Sequence, residues 1–227
     1  MFIDKSMTGD VVSIGPETRV LEAFDLMKKY RIRHLPVVDK DNCILGIVSD
    51  RDIRSAMPPP FLGKEECEKA QERLSKLNVE YIMTKNVMSI STADTIQDAL
   101  LLMYKVKVSA FPVVEPDGRL IGILTIHDII RAFIKVLGIE EPGTLLGILV
   151  EDKQGQTKVI VDAITEEGIP FGSILVARHW EDGKRAVFPY LLSTNVARIK
   201  KKFQKMGFTL LNPLDWSIDR HQKGSGK

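Results

Sequence analysis

Leu45-Gly46-Ile47-Val48-Ser49-Asp50-Arg51-Asp52-Ile53 and Ile121-Gly122-Ile123-Leu124-Thr125-Ile126-His127-Asp128-Ile129 are one motif written twice. In each copy an apolar run reads as a strand that feeds a helix, with a hydroxyl residue at the junction and an aspartate three positions on. Ser/Thr-x-x-Asp at a helix start is a capping-box variant: the hydroxyl accepts from the third helical N–H, and the acid favours the positive helix end. The same geometry suits a ligand. Free N–H groups and the dipole attract a phosphate, and a carboxylate one turn away can accept both hydrogen bonds of a ribose diol. Spacing alone leaves both readings open.

Working outward, residues 7 to 53 align without a gap on residues 83 to 129, at an offset of 76, with about 17 of 47 positions identical. Met7-Thr8 matches Met83-Thr84, Pro36-Val37-Val38 matches Pro112-Val113-Val114, and Gly46-Ile47 matches Gly122-Ile123. This is a tandem duplication, and it governs the fold. Each unit reads as β-α-β-β-α. An extended piece (Val11 to Ile14; Val87 to Ile90) precedes a helix with apolar residues at i, i+3, i+4 and i+7: Val20, Ala23, Phe24, Met27, and Ile96, Ala99, Leu100, Met103. A strand opened by Pro36 or Pro112 follows, where the missing N–H does least harm. A polar turn then leads into the motif strand, and a second helix begins at Ser49 or Thr125.

Pro58-Pro59-Pro60 stops the first unit. Lys64 to Leu77 reads as a linker helix with a narrow stripe of Cys67, Ala70, Leu74 and Leu77, and with i, i+4 pairs Glu65–Lys69 and Glu72–Lys76 on its wet side. After Gly138 to Gly143 the pattern changes: strand Leu145 to Glu151, helix Gln156 to Glu167 closed by Gly168, hairpin Gly172 to His179 and Arg185 to Tyr190, helix Asn195 to Met206, strand Phe208 to Leu211. That order, βαββαβ, is the ferredoxin-like one. The expected fold class is α/β (α+β), with domains at 1–57 (first repeat), 58–78 (Pro-rich linker and helix), 79–138 (second repeat), 144–213 (ferredoxin-like) and a flexible tail at 214–227.

At 227 residues, 44% hydrophobic and 27% charged, the composition is that of a soluble globular chain, and a net charge of +2 argues against nucleic acid. Cys43 and Cys67 have neither metal-ligand spacing nor a disulfide framework. No apolar run approaches membrane-spanning length and the start lacks a signal-peptide core, so a cytoplasmic location is expected. The Gly224-Ser225-Gly226-Lys227 ending has no strand and helix around it and is no P-loop. No nucleophile–base pair, His-Glu-x-x-His or Cys/His cluster is present, so a non-catalytic role is expected.

Three features favour a ligand at the motif. Gly46 and Gly122 sit in apolar strands, where glycine weakens the strand unless something approaches the backbone. Arg51 and His127 place a cation in a first helical turn, against the dipole. Arg31, Arg33 and His34 precede the first Pro-Val-Val strand, where the second unit has Lys107, Ser109 and Ala110.

On Met-Thr, the Pro-Val-Val strand and Gly-x-x-Ser/Thr-x-x-Asp, residues 1 to 137 resemble a pair of CBS domains, a nucleotide-sensing module. The resemblance implies two pseudo-symmetric repeats with up to two clefts that bind AMP, ADP, ATP or S-adenosylmethionine as a regulatory ligand, not as a catalytic cofactor. Carried onto matching positions, Asp52 and Asp128 would hold ribose, and Ser49 and Thr125 would meet phosphate. The main chain near Val11-Val12 and Val87-Met88, with His34-Leu35-Pro36 and Ala110-Phe111-Pro112, would frame the base, and Thr8 and Thr84 would also belong to the nucleotide-binding set. Arg33, His34, Arg51 and His127 would serve phosphate oxygens, reaching from one repeat to the other's cleft. Residues 144 to 213 resemble an ACT domain, a fold that often binds amino acids and dimerises. Its Asp-x-Pro-Gly-x-Leu turn stands here as Asp152-Lys153-Gln154-Gly155-Gln156-Thr157, without the proline and leucine. The whole arrangement is similar to acetoin-utilisation accessory proteins. The expected function is adenine-nucleotide sensing that passes occupancy to a protein target or to the protein's own homodimer; the alternative is a ligand-free dimerising scaffold whose Ser/Thr-x-x-Asp pairs are only caps, with the ACT-like domain as a docking or amino-acid-binding unit.

Overall fold

Each repeat is built on a two-stranded hairpin that a helix seals. A computed structural model describes residues 2–59 and 64–212. The expectations for Pro60, for a buried Cys67 side chain and for the tail lie outside the described residues. In the first repeat α1 (Val20–Tyr30) buries Val20, Ala23 and Met27 against β1 (His34–Val38) and β2 (Ile44–Ser49), with α2 (Asp50–Ala56) following directly. The stretch after Thr8 is less regular than its apolar alternation suggests. Only Ile14 pairs, in a parallel bridge to Val37, and its N–H donates to the Pro36 carbonyl at 3.0 Å. The linker helix α3 (Lys64–Lys76) carries the expected ion pairs, Glu65–Lys69 at 2.7 Å and Glu72–Lys76 at 2.8 Å, and inserts Leu74 into the first repeat's core.

The second repeat starts with β3 (Thr84–Lys85), followed by α4 (Ile96–Val106), β4 (Ala110–Val114), β5 (Leu120–Thr125) and α5 (Ile126–Leu137). Its register repeats the first: Val113 opposes Gly122 as Val37 opposes Gly46, and Ile90 bridges Val113 as Ile14 bridges Val37. The two repeats exchange their first segments. Gly46 and Ile47 pair with Lys85 and Thr84, and Ile123 pairs with Thr8. This exchange explains the strand glycines. A Cβ on Gly46 would stand 2.7 Å from both the Met83 sulfur and the Thr84 carbonyl oxygen, and one on Gly122 would stand 2.5 Å from the Met7 sulfur. The close approach expected of a ligand is made by the other repeat's Met-Thr pair.

The chain divides into two compact units, Met1–Ile130 and Arg131–Lys227. In the second unit the strand expected over 145–151 is broken at Leu146-Gly147 into β6 (Thr144–Leu145) and β7 (Ile148–Glu151). Both lie along one side of β9 (Lys184–Leu191), and β8 (Phe171–Glu181) lies along its other side. β10 (Thr209–Leu210) pairs with β7, giving the order β10-β7-β9 with β8 outermost, all neighbours antiparallel. Helices α6 (Gln156–Glu166) and α7 (Ala197–Lys205) close one core, in which Ile160, Ile164, Val187, Leu191, Ile199 and Phe203 are fully buried. α7 starts two residues later than its periodicity suggests, because Asn195 N–H turns back to the Ser193 hydroxyl at 3.2 Å.

Candidate functional site

Ser49 ends β2 opposite His34 and caps α2. The Asp52 N–H donates to Ser49 Oγ at 3.3 Å, while Asp52 Oδ2 accepts from the Ser49 N–H at 2.8 Å and its hydroxyl at 2.7 Å. Thr125 and Asp128 repeat this, with Asp128 Oδ2 accepting from the Thr125 N–H at 2.9 Å and hydroxyl at 2.6 Å. A third copy, Thr95 with Asp98, caps α4 in the same way. A fourth copy, Ser91 with Asp94, makes the same bonds to Oδ2, at 2.7 Å from the N–H and 3.1 Å from the hydroxyl, but lies in a turn before α4, so the pattern alone defines neither a helix cap nor a site. At Asp52 every hydrogen bond from the described residues falls on Oδ2, so Oδ1 keeps its accepting capacity.

The first motif lines a cleft of about 560 Å³, within the usual size of small-molecule sites. The first repeat contributes Arg33, His34, Ile47, Ser49, Asp50, Arg51 and Asp52. The second contributes Thr84, Asn86, Val87 and Met88 from its exchanged arm, and Val106 to Phe111 from the turn between α4 and β4. The lining combines apolar residues (Ile47, Val87, Met88, Val106, Val108) with charged ones (Arg33, Asp50, Arg51, Asp52 and Lys107). At the start of α2 the Asp50 N–H donates to the Arg33 carbonyl at 3.0 Å and the Asp52 N–H to Ser49 Oγ, so an anion in the cleft would be met by the cationic side chains rather than by these amides. Among the described residues no group of three or more His, Cys, Asp or Glu could hold a metal ion.

His34 stands where the repeats meet. Its Nε2 lies 3.1 Å from the Ser109 hydroxyl of the other repeat. Burial pushes the imidazole below its ordinary value, opposed by the Asp50 and Asp52 carboxylates and reinforced by Arg33. Asp50 is paired with Arg54 at 3.4 Å. Arg51 is exposed at the cleft, and no carboxylate pairs with it among the described residues.

Of the residues expected at a site, Arg33, His34, Ser49, Arg51, Asp52, Thr84, Val87, Met88 and Ala110 line this cleft. Pro36 and Pro112 do not. They are buried within their strands, and their carbonyls are taken by the Ile14 and Ile90 N–H groups at 3.0 Å. Thr8, Val11, Val12, Thr125, His127 and Asp128 line no part of it either; they are the counterparts, 76 positions away, of Thr84, Val87, Met88, Ser49, Arg51 and Asp52. Sequence reasoning did not select Asp50, Asn86, Lys107, Val108 or Ser109. A signal existed for Lys107: like Arg31 it directly follows an amphipathic helix, the place of the left-handed cap residue, and both adopt that conformation at φ 58° and 55°.

The sequence profile of the CBS domain matches residues 3–59 and 79–135. The chain belongs to the CBS-domain family, and it carries the domain as a tandem pair. A CBS domain-containing protein of Dictyostelium discoideum is 34% identical over 140 residues, 60% of this chain and 94% of its own length. An inosine-5'-monophosphate dehydrogenase of Aquifex aeolicus is 32% identical over 132 residues, 57% of this chain but only 24% of the enzyme, so the chain spans about a quarter of that relative. Among solved structures, the CBS-pair protein CBSX2 from Arabidopsis thaliana aligns with a TM-score of 0.52 at 28% identity, over 60% of this chain and 95% of its own. CBSX2 in complex with AMP gives 0.50 at 28%, over 60% and 97%. A candidate acetoin utilization protein (AcuB) from Vibrio cholerae gives 0.52 at 26%, over 63% and 98%. Over the matched part of the chain the fold is the mixed α/β CBS pair. No described helix is long and apolar enough to cross a membrane.

Proposed function

We propose that the CBS pair senses an adenosine-type ligand (AMP, ADP, ATP or S-adenosylmethionine) in the Asp52 cleft and passes its occupancy to a protein target or to the protein's own homodimer, without catalysis. One observation carries the reading: the capped start of α2 lines one cleft together with the exchanged arm of the other repeat, including Val87 and Met88. Asp52 would accept the ribose hydroxyls, Ser49 and Arg51 would meet phosphate, and Val87 and Met88 would flank the base. CBSX2 in complex with AMP supports the ligand class. By the duplication, Asp128, Thr125 and His127 with Thr8, Val11 and Val12 would form a second site. A ligand present near millimolar concentration needs only a micromolar to millimolar constant, about 4–8 kcal/mol. Signalling further requires that it bind two arrangements of the protein unequally.

For residues 144–212 we keep the ACT-like reading, in a docking or dimerising role. The strand order β10-β7-β9-β8 after βαββαβ supports it. The likeness to the acetoin utilization protein supports a related accessory role. The competing reading is a ligand-free scaffold. It is favoured by the Thr95–Asp98 box, which has the same hydrogen bonds and lines no part of the cleft. Melting temperatures measured with adenosine, AMP, ADP, ATP and S-adenosylmethionine decide between them. Selective binding to the native state raises the transition, by about 2.7 kcal/mol of stability at a hundredfold excess over Kd. No shift with any of the five at several millimolar would leave the scaffold.

A further inference from the structure

The sheet of the second unit is apolar on both faces, and its two helices pack on one of them. Ile148, Val150, Val187 and Leu191 form the core with α6 and α7. Strand alternation turns Leu149, Ala186 and Phe188 to the opposite face. The register gathers them there: Leu149 stands opposite Ala186, Ala186 opposite Ala177, and Phe188 opposite Leu175. That face is nevertheless buried at its centre, with Ala186 at 0%, Phe188 at 7% and Leu149 at 9% exposure, while Leu175 on β8 stands 47% open. Trp180, near the end of β8, packs edge-to-face on Phe188 at 5.3 Å and forms part of this apolar surface.

The sequence supplies a segment of matching pattern beside this face. β10 borders β7, and the chain runs on from it through Leu214-Asp215-Trp216-Ser217-Ile218-Asp219. Apolar and polar residues alternate strictly there, the pattern of a strand with one side buried. The alternation ends before the polar stretch His221 to Lys227. Adjacent strands lie about 4.8 Å apart and an extended chain advances about 3.3 Å per residue, so about five residues cross from β10 over β7 and β9 to β8.

We propose that the chain's own segment Leu214 to Ile218 is the partner of this face: it lies across β7 and β9 with Trp216 against Phe188 and Ala186, and withholds the face from a second copy of the chain. The inference rests on strand register and sequence pattern, not on the nucleotide reading. A tryptophan brings a large apolar area and completes an aromatic cluster with Trp180 and Phe188. Asp215, Ser217 and Asp219 stay on the side of the strap that faces water. A docking or dimerising role of residues 144–212 then falls to the other surfaces of the unit.

Tryptophan fluorescence of the full chain tests it. Trp180 and Trp216 are the two tryptophans, and Trp180→Phe keeps a ring on Phe188 while leaving Trp216 as the single reporter. Its emission should lie at shorter wavelength than that of tryptophan in water and resist acrylamide quenching. Both properties should persist on dilution and vanish in urea. Trp216→Ala and Phe188→Leu, alone and together, place the contact: their losses in urea midpoint should be non-additive, as expected of residues that touch. The emission of water-exposed tryptophan in the folded chain overturns the strap. Shielding that disappears on dilution, as light scattering shows the mass to halve, makes a second copy the occupant and overturns it as well. Additive losses put Trp216 elsewhere and overturn the placement.

Discussion

Adding one methyl group at Gly46 should damage the protein more than adding it at the equivalent Gly122, although the two positions are related by the duplication. At Gly46 the new Cβ meets a backbone carbonyl, that of Thr84, at 2.7 Å, together with the Met83 sulfur at 2.7 Å. The sulfur can swing aside, but the carbonyl belongs to the arm paired with β2 and can move only by opening that pairing. At Gly122 the nearest atom is the Met7 sulfur at 2.5 Å, the end of a flexible side chain, and the Thr8 carbonyl is 3.2 Å away. Overpacking of a well-packed site costs about 1–3 kcal/mol. Replacing glycine by alanine in the unfolded chain returns about 0.4–1 kcal/mol. Gly46→Ala should therefore lose about 1–2 kcal/mol net, a fall of roughly 2–8 °C in melting temperature for a chain of this size. Gly122→Ala should lose under about 1 kcal/mol, since the Met7 side chain can repack. Thr84 lines the cleft, so Gly46→Ala should also weaken ligand binding. Urea and thermal unfolding of both variants, followed by a binding titration, measure all three effects. Equal stability of Gly46→Ala and wild type, or a larger loss at Gly122, would refute the exchanged-arm account of these glycines.

Stability should fall in mild acid through His34. Its value in the folded state is lowered, first by burial, so the folded protein prefers the neutral imidazole. That contribution is fully present above the unfolded value of about 6.5 and is lost as pH falls through it toward the lower folded value. Relative to His34→Gln, wild type should lose stability between about pH 7 and 5.5, read from urea midpoints; parallel curves would contradict it. Phe203→Ala should cost about 3–5 kcal/mol, since the ring is fully buried and packs edge-to-face on Phe208 at 6.0 Å; a loss under about 1 kcal/mol in urea unfolding would contradict that core. Gly183→Ala, at φ 66° in the two-residue loop between β8 and β9, should cost about 1 kcal/mol by the same measurement; a neutral result would mean another turn conformation.

The repeat was legible because its signals are local. Period-3.6 stripes mark α1 and α4, the proline-opened strands and the polar turns mark the hairpins, and the offset of 76 ties the copies together. The exchange of Thr8 and Thr84 between repeats is a non-local pairing, and no window of sequence carries it. For that reason the strand glycines read, in sequence alone, as ligand contacts. For the same reason Lys107 and Ser109, which complete the cleft from the opposite repeat, were not selected. The capping box of Ser49 and Asp52 is legible in the sequence because its Ser-x-x-Asp spacing is local. The break at Leu146-Gly147 escaped a reading by apolarity alone, because both strand pieces are apolar and pair on the same side of β9.

The third capping box supplies the control that cap and ligand readings otherwise lack. Asp52→Ala and Asp98→Ala remove the same hydrogen bonds from two helix starts, and each should cost about 1 kcal/mol of stability. Only Asp52 faces the cleft. Titration of both variants with ATP and AMP beside wild type should therefore show binding lost or weakened at least about tenfold in Asp52→Ala and unchanged in Asp98→Ala, a difference of about 1.4 kcal/mol or more. Wild-type affinity in Asp52→Ala, with only the stability lost, would contradict the nucleotide site and make the motif a cap.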